Sequence, residues 1–250
     1  MAGPPRLYGL RALVLNAAGG ISEAIARTLA KHGAAVLAVD TKNSGVVQHY
    51  TAVKGITPMA AALLEPESMP GLIENAVKKL GGIDILVNDF PLQPDAPLDQ
   101  VDEKLERLLR SRAALTMAAC RAASPYLQKS PQGRIINIGF LRSCFTRNAD
   151  AAYRHTEQDL ADMTRVLAAE MGEFAINANY IQPGAVMTPE SRAVFRKDKA
   201  LRDHCIRGSA AQRLGEPVDV AKVALFLASD DAVFVSGTGI AVDGGRTHAG

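Results

Sequence analysis

The sequence carries few of the features that mark secreted, membrane-spanning or metal-binding proteins. Its three cysteines, Cys120, Cys144 and Cys205, include no CxxC pair, which suits a reducing compartment. Its five histidines are scattered, without the spacing of metal ligands. No apolar run approaches the roughly 20 residues that span a bilayer, and the N-terminal stretch lacks the layout of a signal peptide. We therefore expect a cytoplasmic protein without a metal.

The charge balance and the composition narrow the class further. The formal net charge of +2 is too small to indicate a nucleic-acid-binding surface. Hydrophobic residues make up 48% of the 250 positions and charged residues 22%, which is typical of an ordinary globular protein. A chain of this length is sufficient for one large α/β domain with a sizeable core.

The N-terminal part of the chain has the pattern of a strand, a turn, a helix and a second strand. The apolar run Leu13–Leu15 precedes a turn of small residues and a helix with one apolar face. Gly33 ends that helix, and a second apolar run stops at Asp40. Because both runs are continuous rather than alternating, the pattern predicts two buried parallel strands joined by a helix.

The same alternation continues to the end of the chain, without a linker or a repeat. The predicted elements are a strand over 83–87, a helix over about 99–127, the strand RIINI, a helix over 151–172, the strand INANYIQP, a polar segment over 188–212, a helix over 217–229 and the strand TGIAVDGG. This order predicts a single α/β domain over 1–250, with a Rossmann-like doubly wound parallel sheet and helices on both faces.

Several segments in a fixed order point to one family. They are DILVN (Asp84–Asn88), GRIINI, Pro183-Gly184 with Thr188, RLGEP (Arg213–Pro217) and VSGTGIAVDGG (Val235–Gly245). Each is weak alone, but together they resemble the landmarks of the short-chain dehydrogenase/reductase family over essentially the whole chain. The resemblance implies an oxidoreductase fold that transfers a hydride to or from NAD(P).

The catalytic positions of that family are occupied by other residues here. The family uses a proton-exchanging Tyr, a Lys four residues later that lowers the Tyr pKa, a Ser thirteen residues earlier and an Asn on the preceding long helix. The resemblance places Tyr153, Glu157, Phe140 and Arg112 at these positions, in that order. A carboxylate one helical turn from Tyr153 disfavours the phenolate. We therefore predict a vestigial catalytic site, the alternative being that Tyr153 is simply a packing residue.

The cofactor positions have also changed. The three glycines of the family's phosphate-binding turn correspond to Asn16, Gly20 and Ser22, so only the middle one remains, followed by Ile21. Asp40 lies about twenty residues after the turn, where a carboxylate commonly accepts the ribose hydroxyls of NAD. An acid at a strand end is also often a solvated terminus, so both interpretations stay open.

Two further cofactor contacts of the family differ. The adenine-contacting Asp after the third strand corresponds to Ala62. The motif around Asn88 reads NDFP where the family has Asn-Asn-Ala-Gly, so Asp89 replaces an Asn, and we expect Phe90 and Pro91 to crowd the cofactor floor. We predict that Gly20, Ile21, Asp40 and Asn88 form a vestigial cofactor site, and that NAD binding by this chain is weak or lost.

Helical spacing suggests what fills the disused pocket. Arg112 lies on an apolar stripe with Leu105, Leu108, Leu109 and Leu115, and Glu157 shares a helix face with Tyr153, Leu160, Thr164 and Leu167. Because burying either charge alone is costly, we hypothesise an Arg112–Glu157 ion pair. The alternative is that both side chains point to water.

The segment 188–212 corresponds to the family's mobile substrate lid. It carries a local excess of positive charge on Arg192, Arg196, Lys197, Lys199, Arg202 and Arg207. This excess fits an anionic group such as a coenzyme A phosphate, or simply a solvated helical face.

These features favour a catalytically deficient subunit that stabilises or shapes an active homologous dehydrogenase. The family usually assembles through its two long helices, here about 99–127 and 152–172, so we expect a heterotetramer with NAD in the partner subunit. The chain also resembles the non-catalytic subunit of two-component hydroxyacyl-CoA dehydrogenases, such as that of benzylsuccinyl-CoA β-oxidation in anaerobic toluene breakdown. The alternatives are an independently active NAD(P)-dependent oxidoreductase with a rewired site using Tyr153, and a non-catalytic ligand-binding module.

Overall fold

The computed structural model describes residues 6–90 and 97–246, and their strands form one parallel sheet. The strands are β1 (Arg11–Leu15), β2 (Ala35–Asp40), β3 (Ile56–Ala60), β4 (Ile85–Asn88), β5 (Arg134–Ile138), β6 (Asn177–Pro183) and β7 (Gly239–Val242). Their order in the sheet is β3-β2-β1-β4-β5-β6-β7, and every pairing is parallel. The order reverses between β1 and β4, which confirms the doubly wound fold and places the switch point beside the turn after β1.

Helices cover both faces of this sheet. They are α1 (Gly20–Lys31), α2 (Val46–Tyr50), α3 (Met69–Leu80), α4 (Glu103–Leu127), α5 (Asp150–Gly172), α6 (Pro189–Lys197), α7 (Lys199–Arg207) and α8 (Pro217–Ala228). Within the described residues, none of them is long and apolar enough to cross a membrane.

The central strands β1, β2 and β4 are largely apolar because they supply a core on either side of the sheet. In β1, Ala12 and Val14 pack with α1 and α8, whereas Leu13 and Leu15 pack with α3, α4 and α5. Successive side chains of a strand point to opposite faces, so a strand buried on both sides requires a continuous apolar run. This is the physical basis of the runs that predicted the sheet.

Several predicted element bounds differ from the structure. The strand predicted over 83–87 is β4 (Ile85–Asn88), and the strand predicted over TGIAVDGG is the shorter β7 (Gly239–Val242). The long helix predicted from about residue 99 begins at Glu103, because the side chain of Asp102 accepts a hydrogen bond from the backbone N–H of Leu105 (3.0 Å) and caps the helix. The polar segment over 188–212 contains two helices, α6 and α7.

The apolar stripes of α4 and α5 face the protein's own core. Leu105, Leu109 and Leu115 of α4 are buried, as are Leu160 and Leu167 of α5. These stripes therefore hold the two helices against the sheet. An interface on α4 and α5 would have to use their outward faces.

Candidate functional site

A cleft of about 360 Å³ opens where the carboxyl ends of β1, β2, β4 and β5 meet. In open α/β sheets this edge beside the switch point is where ligands bind. The lining combines the turn after β1, the loops after β2, β4 and β5, one residue of α4 and residues at the start of α6. The lining residues that bear on its chemistry are Asn16, Gly20, Ile21, Asp40, Asp89, Phe90, Arg112, Phe140 and Glu190.

The turn after β1 keeps the backbone of a phosphate-binding turn. Asn16 and Gly20 both adopt left-handed conformations, with φ of 58° and 60°. Asparagine tolerates this region better than most residues, which explains how the first glycine can be replaced. Ile21 is buried and anchors the first turn of α1 in the core.

Asp40 lies at the cleft, but both of its carboxylate oxygens already accept backbone hydrogen bonds. Oδ2 accepts the N–H of Ala18 (2.8 Å) and Oδ1 accepts the N–H of Thr41 (2.6 Å). Only 4% of the residue is exposed. Asp40 is therefore not a freely solvated strand end. In this structure it fixes the turn after β1 against the end of β2.

Asn88 directs its amide into a buried network rather than into the cleft. Its Nδ2 donates to Asn137 Oδ1 (3.0 Å), and Asn137 in turn donates to Thr164 Oγ1 on α5 (3.1 Å). The same Nδ2 contacts the Sγ of Cys120 on α4 (3.3 Å). These bonds tie β4 and β5 to the two long helices. Phe90 lines the cleft and is buried, whereas Pro91 lies outside the described residues.

Tyr153 is sealed into a small aromatic core beside the cleft. Its hydroxyl donates to the carbonyl of Pro183 (2.6 Å), its ring packs edge-on against Phe145 at 5.5 Å, and 4% of the residue is exposed. Burial raises the pKa of Tyr153, and the nearby carboxylates of Glu157 and Asp243 raise it further. This is the opposite of the shift that a proton-exchanging tyrosine needs at neutral pH.

The predicted Arg112–Glu157 ion pair does not form. Arg112 Nη2 lies 3.6 Å from Oδ1 of Asp89, donates to the carbonyl of Ile138, and its guanidinium stacks over the ring of Phe140 at 4.3 Å. Arg112 extends from α4 towards the end of β4, and this places Asp89 within its reach. Helical spacing alone could not reveal that carboxylate.

Glu157 stays half-buried, and in the described residues it forms no ion pair with a basic side chain. Burial raises the pKa of Glu157, and the negative charge of Asp243 adds to the shift. The position where the family has a lysine therefore carries a group that disfavours the Tyr153 phenolate. Phe140, at the serine position, offers an aromatic face instead of a hydroxyl.

Asp89 is the central site residue that the sequence analysis missed. Its Oδ2 accepts hydrogen bonds from the Oγ of Ser22 (2.9 Å) and the Nδ2 of Asn16 (3.3 Å). Ser22 occupies the third glycine position, and its hydroxyl is hydrogen-bonded to Asp89 within the protein. The signal was available, because Asp89 is the second residue of NDFP at the carboxyl end of a strand adjacent to β1.

The charges in the cleft are unfavourable for a dinucleotide. Asp89 and Glu190 line it beside the phosphate-binding turn, where Oε2 of Glu190 would lie 3.6 Å from a Cβ built on Gly20. Asp40, at the end of β2, is by contrast compatible with a ribose. Arg112 is the one basic residue among its described lining, and it faces Asp89. A pyrophosphate at this turn would meet carboxylates instead of cations. The residues present therefore do not fit NAD(P).

The lid segment shows a solvated charged surface. Its six basic residues, Arg192, Arg196, Lys197, Lys199, Arg202 and Arg207, are all exposed. The side chain of Thr188 caps α6 by accepting the N–H of Ser191 (3.2 Å). Among the described residues, no group of three or more His, Cys, Asp or Glu side chains is arranged to hold a metal ion.

Comparison with known proteins agrees with this fold. Residues 17–247 match the family described as enoyl-(acyl carrier protein) reductase. The chain is 31% identical to the 3-oxoacyl-(acyl-carrier-protein) reductase FabG of Vibrio cholerae over 246 residues, covering 96% of this chain and 98% of the relative. It is 32% identical to an uncharacterized oxidoreductase of Methylorubrum extorquens, with the same coverage.

A solved structure is similar over nearly the whole chain. It is that of a putative gluconate dehydrogenase from Agrobacterium tumefaciens, with a TM-score of 0.84, 27% identity and 97% coverage of both chains. Members of this family generally bind NAD(P), so the acidic cleft is a departure from the family pattern. The fold, the ordered motifs and these relatives together show that the chain belongs to the short-chain dehydrogenase/reductase family of oxidoreductases.

Proposed function

We propose that this chain is a catalytically inactive subunit of a hetero-oligomeric, NAD-dependent alcohol or hydroxyacyl-CoA dehydrogenase. The main support for this proposal is the environment of Tyr153. Its hydroxyl donates a hydrogen bond to the carbonyl of Pro183 in a buried aromatic core. A general acid or base must reach the atom whose proton it exchanges. Here the family's proton donor is withdrawn, and a carboxylate occupies the position of the lysine that activates it.

Relatives and the resemblance support the substrate class that we propose for the complex. The relatives include 3-oxoacyl-(acyl-carrier-protein) reductases. The chain also resembles non-catalytic subunits of two-component hydroxyacyl-CoA dehydrogenases, of which the benzylsuccinyl-CoA enzyme is our specific candidate. In this proposal the active partner binds NAD and the substrate, and this chain stabilises or shapes it.

The outward faces of α4 and α5 are the proposed contact surface. Val166 on α5 is 50% exposed, although it is aliphatic, and Phe174 just beyond this helix is also exposed. The ring nitrogen Nε2 of His155 on α5 contacts Glu106 on α4 at 2.8 Å, which fixes the two helices as one surface. Such an interface depends on packing and not on catalysis, so it can persist when the catalytic groups are lost.

Co-expression with a homologous dehydrogenase that carries the family's catalytic Ser, Tyr and Lys tests the proposal. We expect the two chains to co-purify as a heterotetramer whose turnover is unchanged by Tyr153→Phe and abolished by the same substitution of the partner's catalytic tyrosine. Val166→Asp should disrupt the complex, whereas Val47→Asp, which changes a 47% exposed valine on α2, should not. Turnover by the isolated chain, lost in Tyr153→Phe, would overturn the proposal in favour of a rewired enzyme.

A further inference from the structure

Two of the altered positions in the cleft face each other. Asp89 follows β4 and Arg112 lies on α4, and their side chains are 16% and 11% exposed. Their closest charged atoms, Oδ1 and Nη2, are 3.6 Å apart. The departures from the family pattern at these two positions therefore form one ion pair.

This pair is bonded to both walls of the cleft. On one side, Asp89 Oδ2 accepts from Ser22 at the start of α1 and from Asn16 at the end of β1. On the other side, Arg112 donates to the Ile138 carbonyl at the end of β5 and stacks on Phe140. A continuous line of contacts thus crosses the cleft floor from the turn after β1 to the end of β5.

Each charge needs the other. Burial raises the pKa of Asp89 and lowers the pKa of Arg112, and the opposite charge of each partner counters the shift of the other. Removing one partner of a buried pair leaves an uncompensated charge, which is far more costly than removing both. The two positions should therefore be energetically coupled.

We propose that the Asp89–Arg112 pair, with Phe140, is an internal plug that takes the place of a bound dinucleotide in holding the walls of the cleft together. This rests on the proposed function, since it explains how a subunit without NAD stays rigid enough to support a partner. The plug also disfavours binding of the cofactor. It places the carboxylate of Asp89 beside the phosphate-binding turn, and it places the ring of Phe140, with the Arg112 guanidinium stacked over it, at the catalytic end.

A double-mutant cycle on the isolated full chain tests the coupling. We expect Asp89→Asn and Arg112→Met each to lower the melting temperature by about 5–10 °C, and the double variant to recover at least half of the summed loss. The matched control is the exposed pair Glu74 and Lys78 on α3, where Glu74→Gln and Lys78→Met should change the melting temperature by less than about 1 °C and add without coupling.

If the losses in melting temperature of Asp89→Asn and Arg112→Met are additive in the double variant, the plug proposal is wrong. If a single variant does not fold, recovery of folding in the double variant supports it, and failure of the double variant to fold contradicts it. Saturating NAD⁺ or NADH should leave the wild-type melting temperature unchanged, and a rise of several degrees would contradict the plug as well.

These outcomes separate the plug from the proposed function. If the losses in melting temperature are additive and the isolated chain shows no turnover, the plug proposal is wrong and the inactive-subunit proposal stands. If the two substitutions are coupled and the isolated chain shows turnover that depends on Tyr153, the inactive-subunit proposal is wrong and the ion pair still holds the cleft walls together.

Discussion

At the cofactor end, the turn after β1 lines an accessible cleft, whereas at the catalytic end α5 carries Tyr153 with its hydroxyl enclosed. Asn16 and Gly20 retain left-handed conformations, and Asp40 still braces the turn through Ala18. Tyr153 instead bonds to the Pro183 carbonyl. The lining of the cofactor end is acidic, and the hydroxyl of Tyr153 at the catalytic end points to a backbone carbonyl of the protein.

The two ends are held by different contacts. The turn after β1 is held by apolar packing and by hydrogen bonds to the carboxylates of Asp40 and Asp89, both of which line the cleft. At the catalytic end, fully buried Arg142 donates to the carbonyls of Phe145 and Arg147 and pairs with Asp150. We therefore expect the catalytic end to contribute more to stability than the cofactor turn.

The largest expected effect on stability comes from substituting Arg142 at the catalytic end. Arg142→Met removes the donors of two carbonyls and one partner of Asp150, whose other partner is Arg246. We expect the free energy of unfolding, measured in urea, to fall by about 2–4 kcal/mol. Arg165→Met, which removes an exposed ion pair on α5, should cost less than about 1 kcal/mol. Equal losses in the two variants would contradict the comparison.

A smaller effect is expected at the cofactor turn. Gly20→Ala places a side chain at φ 60°, while its Cβ would meet Thr188 and Glu190 only at ordinary contact distances of 3.5 and 3.6 Å. The left-handed conformation should therefore cost about 1–2 kcal/mol in urea unfolding. Gly19→Ala is the matched control, because Gly19 has extended backbone and nothing within 4 Å of its Cβ. A loss in Gly20→Ala larger than that in Arg142→Met would reverse the expected ranking.

The smallest effect concerns the pH dependence of stability. Because the pKa of Glu157 is raised in the folded protein, the folded state binds more protons, and stability falls as the pH rises from the unfolded pKa, about 4.3, through the folded one. Glu157→Gln should remove this slope and raise the melting temperature by about 1–2 °C at neutral pH, with no gain below about pH 4.

Exposed Glu170, also on α5, provides the control, and Glu170→Gln should change the melting temperature less than Glu157→Gln does. A Glu157→Gln profile parallel to that of the wild type would show that Glu157 titrates as it does in the unfolded chain.

The sequence was sufficient to predict the parallel sheet and to identify the positions where this chain differs from the family's catalytic residues. Continuous apolar runs predict buried parallel strands, and the ordered motifs fix Tyr153, Phe140 and Arg112 in their places. Both features are local or depend on order along the chain. The same is true of Asp40, whose position at a strand end brings it to the cleft.

The partners of the altered residues could not be predicted in this way. Helical spacing suggested Glu157 as the partner of Arg112, but the guanidinium contacts Asp89, which precedes it by 23 positions and lies after β4. The acceptor of Tyr153 is a backbone carbonyl, that of Pro183, and no side-chain pattern marks it. Such contacts are decided by how the ends of strands and helices meet in three dimensions.

The ionisation of Tyr153 tests the central claim without requiring a substrate or a partner. Phenolate formation is measured by ultraviolet absorbance during a pH titration of the folded chain, as the difference between wild type and Tyr153→Phe. We expect the Tyr153 phenolate to form only above the ordinary tyrosine pKa of about 10, or not before the protein unfolds. A phenolate that forms at or near neutral pH would show an activated tyrosine and contradict an inactive catalytic end.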